Sequence, residues 1–227
     1  MIRLEKTLIG YGTCSLFAPM DIEFPPEKIT CVLGVNGTGK STLIRSILGL
    51  QPLLGGMCFL GTEELQSMSA ERRARKLAAV FAENQSLPYL TVREVLEMTR
   101  DLVSMPDTEY QEYLQLYKME PFLERSLGSL SSGEKQSVFV LRALLQNPKV
   151  LFLDEPGSHL DPLKKRELWH WMRREVDEKK RTLIWSTHDW ERACTQADFL
   201  LCLKKSGKVE LLKAGECDPY AYFGEVM

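Results

Sequence analysis

Residues 34–41 run Gly34-Val35-Asn36-Gly37-Thr38-Gly39-Lys40-Ser41, a G-x-x-x-x-G-K-S octet whose residue types suit the binding of a polyphosphate. Glycines let the main chain wrap tightly enough for successive N–H groups to point inward at phosphate oxygens. Lys40 adds a compact positive charge for the outer phosphates, and the Ser41 hydroxyl is a hard oxygen ligand for Mg2+. Gly34, Asn36, Gly37, Thr38, Gly39, Lys40, Ser41 and Thr42 are therefore expected to contact a nucleoside triphosphate. A second set of residues lies far along the chain. Asp154 and Glu155 follow the apolar run Val150-Leu151-Phe152-Leu153, and His188 follows Leu183-Ile184-Trp185-Ser186-Thr187. An acid leaving a buried strand sits at the carboxyl edge of a sheet, where a phosphate loop also sits. There Asp154 would hold Mg2+, Glu155 would polarise the attacking water, and His188 would reach a γ-phosphate. Two acids after a strand also describe a solvated loop start, and a strand-end histidine also serves as a cap.

The elements needed to bring these residues together are legible in the pattern. Ile29-Thr30-Cys31-Val32-Leu33 is apolar and β-branched, hence a buried strand, and residues 41–48 read as a helix stopped at Gly49. Further strands are predicted at 57–60, 77–82, 150–153, 183–186 and 199–203, with a hairpin turn at Ser206-Gly207-Lys208. The pattern turns helical from about 91 to 127 and again at 137–146. A helix is predicted over 162–179, with Asp161 as cap, Pro162 in its first turn and Leu168, Met172 and Val176 as its buried stripe. Alternating strands and helices predict an α/β fold with a mostly parallel sheet covered on both faces. The N-terminal 33 residues are expected to add an antiparallel β region. The helical block breaks the alternation, so a single domain over 1–227 with an inserted helical subdomain at about 86–138 is expected.

Composition narrows the function. The chain has 227 residues, 44% of them hydrophobic and 26% charged, enough for a sizeable core. A formal net charge of −2 gives no basic field for nucleic acid. The basic clusters at 164–166, 173–174 and 179–181 alternate with acids along one helix and read as a solvated face. No apolar run of about eighteen residues is present, and Met1 to Lys6 lack a secretory leader's apolar stretch, so a cytosolic protein is expected. The six cysteines are scattered without metal-ligand spacing and read as free thiols.

With these residues in hand, the chain resembles the ATP-binding subunits of ABC transporters. The phosphate loop and the Leu151–Pro156 strand end are shared by many nucleotide hydrolases. The discriminating stretch is Leu130-Ser131-Ser132-Gly133-Glu134-Lys135-Gln136, similar to the family's L-S-G-G-Q signature. Ser158-His159-Leu160-Asp161 resembles its D-loop, His188 its switch histidine, and Tyr11 the aromatic that stacks on adenine. The resemblance implies a P-loop NTPase fold, ATP and Mg2+, and two copies closing head to tail on two nucleotides. In that arrangement Ser131, Gly133 and Glu134 of one copy meet the γ-phosphate held by the other, and Asp161 lies at the shared site. It further implies integral-membrane permease subunits as partners, a substrate-binding protein engaged indirectly, no nucleic acid, and a place on the cytoplasmic face of the membrane. The pattern departs at Ser132, Glu134 and Gly157. It also departs at the Q-loop, where Glu83 takes the catalytic and Mg2+-sensing place of a glutamine, with Gln85 two residues later as the alternative occupant if the loop shifts. The stretch from Leu65 to Ala78 resembles importers of iron chelates, haem and cobalamin. Soluble ABC ATPases of DNA repair, translation or iron–sulfur assembly are the alternative. They usually carry a tandem cassette, a coiled-coil insertion or a basic linker.

Overall fold

Alternation along a parallel sheet divides the core in two. The computed structural model describes residues 1–81, 87–99, 105–158 and 160–216. The chain opens with β1 (Ile2–Leu8), β2 (Gly10–Tyr11), β3 (Cys14–Ser15), β4 (Met20–Phe24) and β5 (Ile29–Leu33), then helix α1 (Lys40–Ile47). Next come β6 (Gly55–Leu60), β7 (Glu63–Glu64), α2 (Ala70–Ala74) and β8 (Leu77–Val80). Helices α3 (Val92–Glu97), α4 (Asp107–Leu116) and α5 (Ser132–Leu145) precede β9 (Val150–Asp154). The remainder is α6 (Pro162–Asp177), β10 (Thr182–Thr187), α7 (Trp190–Gln196), β11 (Phe199–Leu203) and β12 (Val209–Lys213).

The main sheet has the order β12-β11-β5-β10-β9-β8, parallel throughout except for the β11–β12 hairpin. Residues 29, 31, 33, 151, 153, 183, 185, 200 and 202 face one core, shared with α3 to α6. Residues 32, 150, 152, 184, 201 and 203 face the other, shared with α1 and the N-terminal strands. Those strands form an antiparallel sheet of order β4-β1-β6-β7, and β2 and β3 form a small hairpin beside it. The expected mixed α/β architecture, with an antiparallel N-terminal region and a parallel-rich sheet between helices, is the observed one.

Local differences have local causes. Helix α5 starts at Ser132 rather than near 137, because Ser131 and Glu134 form a reciprocal capping box. Helix α2 starts on Ser69, whose hydroxyl accepts the Arg72 N–H. Asp189 caps the unforeseen α7 by accepting the Arg192 N–H. Trp169 and Trp185 stack with ring centroids 3.9 Å apart. Cys31, Cys58 and Cys202 are buried thiols, and burial pushes Cys58 up to about 12, whereas Cys14 is exposed. Cys217 lies outside the described residues.

Among the described residues one ion pair is fully inside. Arg181 Nε lies 2.9 Å from Glu175 Oε2, and the two side chains are only 3% and 4% exposed. Arg181 also donates to the carbonyls of Leu144 and Pro148, to Asn147 Oδ1 and to the Tyr113 hydroxyl. Tyr113 and Tyr117 in turn donate to the Glu175 carboxylate. The cluster ties α4 to α6 and to the turn after α5. Burial raises the Glu175 carboxyl above its ordinary value, opposed by the Arg181 charge, and burial likewise raises both tyrosines.

Candidate active site

Strand register places the chemistry at one edge. Ser186 of β10 pairs with Asp154 of β9 and Val32 of β5, and Thr187 pairs with Leu33, so three parallel strands end level. The phosphate loop leaves β5, the two acids end β9, and His188 follows β10. In the loop, Gly37 and Gly39 take φ of 80° and 99°, conformations that side-chain-bearing residues avoid. A Cβ at Gly34 would stand 2.5 Å from Thr38 Oγ1, and one at Gly39 would meet Leu16 at 2.9 Å and Phe17 at 3.0 Å. The Thr38 hydroxyl donates back to the Val35 carbonyl and holds the curl. Gly39 begins α1 without a side-chain cap, so the first N–H groups of that helix are open to an anion. Asn36, Gly37 and Ser41 are exposed around the mouth, and Thr42 is buried behind it.

Lys40 is 6% exposed and donates to the carbonyls of Gly34 at 2.9 Å and Val35 at 3.4 Å. Its third partner is Glu155 Oε1 at 3.2 Å. Glu155 Oε2 lies 3.6 Å from His188 Nδ1, whose ring is 58% exposed. Glu155 thus bridges the lysine and the histidine. Its own backbone has φ of 47°, an uncommon value for a glutamate, which turns the chain sharply off the end of β9. Asp154 is buried, and its Oδ1 accepts the Ser186 hydroxyl at 2.5 Å, while Oδ2 bonds to no described residue. Two hard oxygens, Asp154 Oδ2 and the exposed Ser41 hydroxyl, match what Mg2+ takes from a protein when phosphates and water supply the rest. The residues fit that ion. Tyr11 on the β2–β3 hairpin is 61% exposed, and its hydroxyl shares a 2.9 Å hydrogen bond with Thr42 Oγ1.

The remaining predicted residues gather elsewhere. Ser131, Gly133, Glu134 and Asp161 line a cleft of about 570 Å3 with Tyr117, Lys118, Phe122 and Trp171, and no residue of the phosphate loop lines it. Asp161 caps α6, its Oδ1 accepting the N–H groups of Leu163 and Lys164 at 2.9 Å each. Glu134 Oε2 accepts the Ser131 N–H at 2.7 Å, and that bond, foremost, holds its carboxyl below the usual range. Glu83 and Gln85 lie outside the described residues. The residue that sequence reasoning missed is Ser186, which contacts both acids. Its signal was a hydroxyl inside an apolar strand, two residues before the histidine.

Comparison with known proteins agrees with this geometry. The family model described as ABC transporter matches residues 17–158. A sulfate/thiosulfate import ATP-binding protein of Agrobacterium fabrum is 32% identical over 216 residues, covering 92% of this chain and 62% of its own length. An uncharacterized ABC transporter ATP-binding protein of Methanocaldococcus jannaschii is 30% identical over 212 residues, covering 90% and 73%. The chain spans 62–65% of the length of the sulfate/thiosulfate relatives from Agrobacterium fabrum, Bacillus cereus and Nocardia farcinica. Among solved structures, an ATP-binding subunit of an ABC transporter superposes with a TM-score of 0.86 at 25% identity, covering 99% of this chain and 93% of that one. A dimeric cassette in a post-hydrolysis state bound to ADP and Pi shares the fold, with a TM-score of 0.83 at 23% identity over 96% and 100%. A glycine loop, a strand-end acid pair and a strand-end histidine on one sheet edge, with a family match across more than half of its length, place this chain in the ABC transporter family.

Proposed function

We propose that the chain is the ATP-hydrolysing subunit of a membrane importer, working on the cytoplasmic face as a head-to-tail pair docked on separate permease subunits. The observation that carries this is the division of the site. Lys40, Asp154, Glu155 and His188 meet at one edge, while Ser131, Gly133 and Glu134 open into another cleft. One copy therefore holds each half of a site that two copies complete. No helix among the described residues is long and apolar enough to cross a membrane, so in this reading the pore belongs to a partner.

In that reading the loop N–H groups and Lys40 bind the β- and γ-phosphates, and the Tyr11 ring stacks on adenine. Mg2+, held by Ser41 and Asp154, supplies charge neutralisation on the phosphates. Once Lys40 has moved to the phosphates, the Glu155 carboxylate is free to take a proton from the attacking water, with His188 orienting the reacting end. Ser131 and the α5 N-terminus of the second copy face the γ-phosphate, so ATP favours the closed pair and its loss opens it. The whole chain forms one cassette, with the helices at about 86–138 as the subdomain that carries this signature. Glu83 fills the Q-loop slot, and Glu83→Gln is expected to alter stimulation by the permease rather than abolish hydrolysis.

Cargo is a finer matter. The stretch 65–78 favours iron chelates, haem or cobalamin, whereas several similar relatives are named sulfate/thiosulfate importers. The permease, not this subunit, touches the solute. Tagged Glu155→Gln protein with ATP, recovered from detergent-solubilised native membranes, is expected to bring down a multi-span permease whose class sets the cargo. Recovery of soluble proteins alone, with ATP retained, would move the reading to the non-transport ABC ATPases.

Lys40→Ala removes the only lysine at the loop and is expected to weaken ATP binding by at least about tenfold, as loss of a charge-assisted contact does. Equilibrium binding in EDTA checks it. Unchanged affinity would remove the phosphate-loop assignment.

A further inference from the structure

We propose that Ser186 is a positioning residue that sets both acids of the site through one hydroxyl. The proposal rests on the ATPase reading above and goes beyond it, since it concerns how the acids are held rather than what they do.

Ser186 is fully buried near the end of the central strand β10, between Asp154 on β9 and Val32 on β5. Its one hydroxyl proton is committed to Asp154 Oδ1 at 2.5 Å, in the range of a charge-assisted O–H···O− bond. The same oxygen accepts the Glu155 N–H at 3.0 Å, and the Ser186 carbonyl accepts it again at 3.1 Å. Both oxygens of one residue therefore share one amide hydrogen. That amide belongs to the residue whose φ of 47° bends the chain off β9 and aims its carboxylate at Lys40.

A sparsely populated backbone conformation persists only where its surroundings over-determine it. Ser186 supplies that determination on the β10 side, and the Ser158 N–H bonded to the Glu155 carbonyl at 3.2 Å supplies it on the other. The hydroxyl also fixes the rotamer of Asp154. With Oδ1 engaged, Oδ2 is the oxygen presented to a cation, and the carboxylate cannot rotate away without losing a buried bond. A packing role alone would need neither the proton on Asp154 nor the lone pair on the Glu155 amide. The flanking Ile184 and Trp185 show that this strand fills its core with apolar side chains elsewhere.

The test compares the full-length parent, Ser186→Ala and Ser186→Thr, using ATP in EDTA, ATP with titrated Mn2+ followed by its paramagnetic resonance, and steady-state phosphate release with Mg2+. Ser186→Ala removes one oxygen from a buried strand, and its melting temperature reports folding independently. It is expected to bind ATP in EDTA within about twofold of the parent. Its half-saturating Mn2+ concentration should rise, and its kcat fall, each about 10–100-fold, the usual effect of losing a partner behind a metal-binding carboxylate. Ser186→Thr keeps the hydroxyl and is expected to recover most of both. Mn2+ saturation and kcat within twofold of the parent for the alanine variant would overturn the proposal. So would an equal loss of ATP binding in EDTA, which would mark general loosening of the site. A parent without metal-dependent hydrolysis would instead overturn the functional reading beneath it.

Discussion

Glu155→Gln protein is expected to hydrolyse ATP about two to four orders of magnitude more slowly than the parent, as loss of a general base does. The substitution is nearly isosteric. A glutamine oxygen can still accept from Lys40, and the φ of 47° at this position is a property of the backbone rather than of the charge. The phosphate loop, Asp154 and Tyr11 keep their contacts, so nucleotide still binds. What disappears is an atom able to take a proton from water. Turnover should therefore fail after binding, and the ATP-loaded pair should accumulate. Phosphate release in steady state measures the first effect, and gel filtration with and without ATP measures the second. Hydrolysis at the parent rate would remove Glu155 as the base and leave it only the structural contact with Lys40.

Arg181→Ala is expected to destabilise the fold by about 3–5 kcal/mol at neutral pH, the usual consequence of removing one partner of a buried ion pair. Glu175 would be left between two tyrosine hydroxyls without its ion-pair partner, with Lys179 as a remaining positive charge acting on it. The pH dependence has a definite sign. The Glu175 carboxyl is already raised by burial in the intact protein, and losing Arg181 raises it further. A carboxyl raised in the folded state favours folding below its unfolded value, and that contribution is lost as pH rises through the folded value. The deficit of Arg181→Ala should therefore shrink as pH falls toward the ordinary carboxylate range and grow toward neutrality. Denaturant titrations at several pH values follow it. A double variant, Glu175→Gln with Arg181→Met, should recover much of the loss, because a neutral filling leaves no orphaned charge. A deficit independent of pH would show that lost packing dominates.

Much of this was legible in the residues because the chemistry uses rare combinations. An octet fixed at three glycine and lysine positions, or two acids closing an apolar strand, leaves few other readings. The parallel sheet was legible because its strands are buried on both faces and read as apolar runs. Helix starts were less so. Ser131 and Glu134 were read for their resemblance to a signature, yet the same pair is a capping box that begins α5 five residues early. Asp161 was read correctly as a cap, and that duty uses one oxygen, Oδ1, of the carboxylate that the resemblance assigns to the nucleotide. The buried Glu175–Arg181 pair was hidden among alternating surface charges, because a linear pattern cannot mark which of several acids on a helix turns inward. Ser186 escaped for a related reason: serine is common in strands, and only the register of β10 against β9 reveals what its hydroxyl touches.

The Lys40–Glu155 contact has a consequence for selectivity among anions. An empty phosphate loop lined with open N–H groups would ordinarily be an indiscriminate trap, filled by whichever small anion is most abundant. Here the lysine already has an internal carboxylate at 3.2 Å, so every visitor must outbid a tethered competitor that never diffuses away. An orthophosphate ion, with few contacts to offer, is at a disadvantage in that exchange. In the proposed function a nucleoside triphosphate would engage the loop, the helix start and Tyr11 at once, and so would displace the carboxylate. The Lys40–Glu155 pair would thus screen the loop against small anions, and its carboxylate is the one that the proposed function assigns to the attacking water.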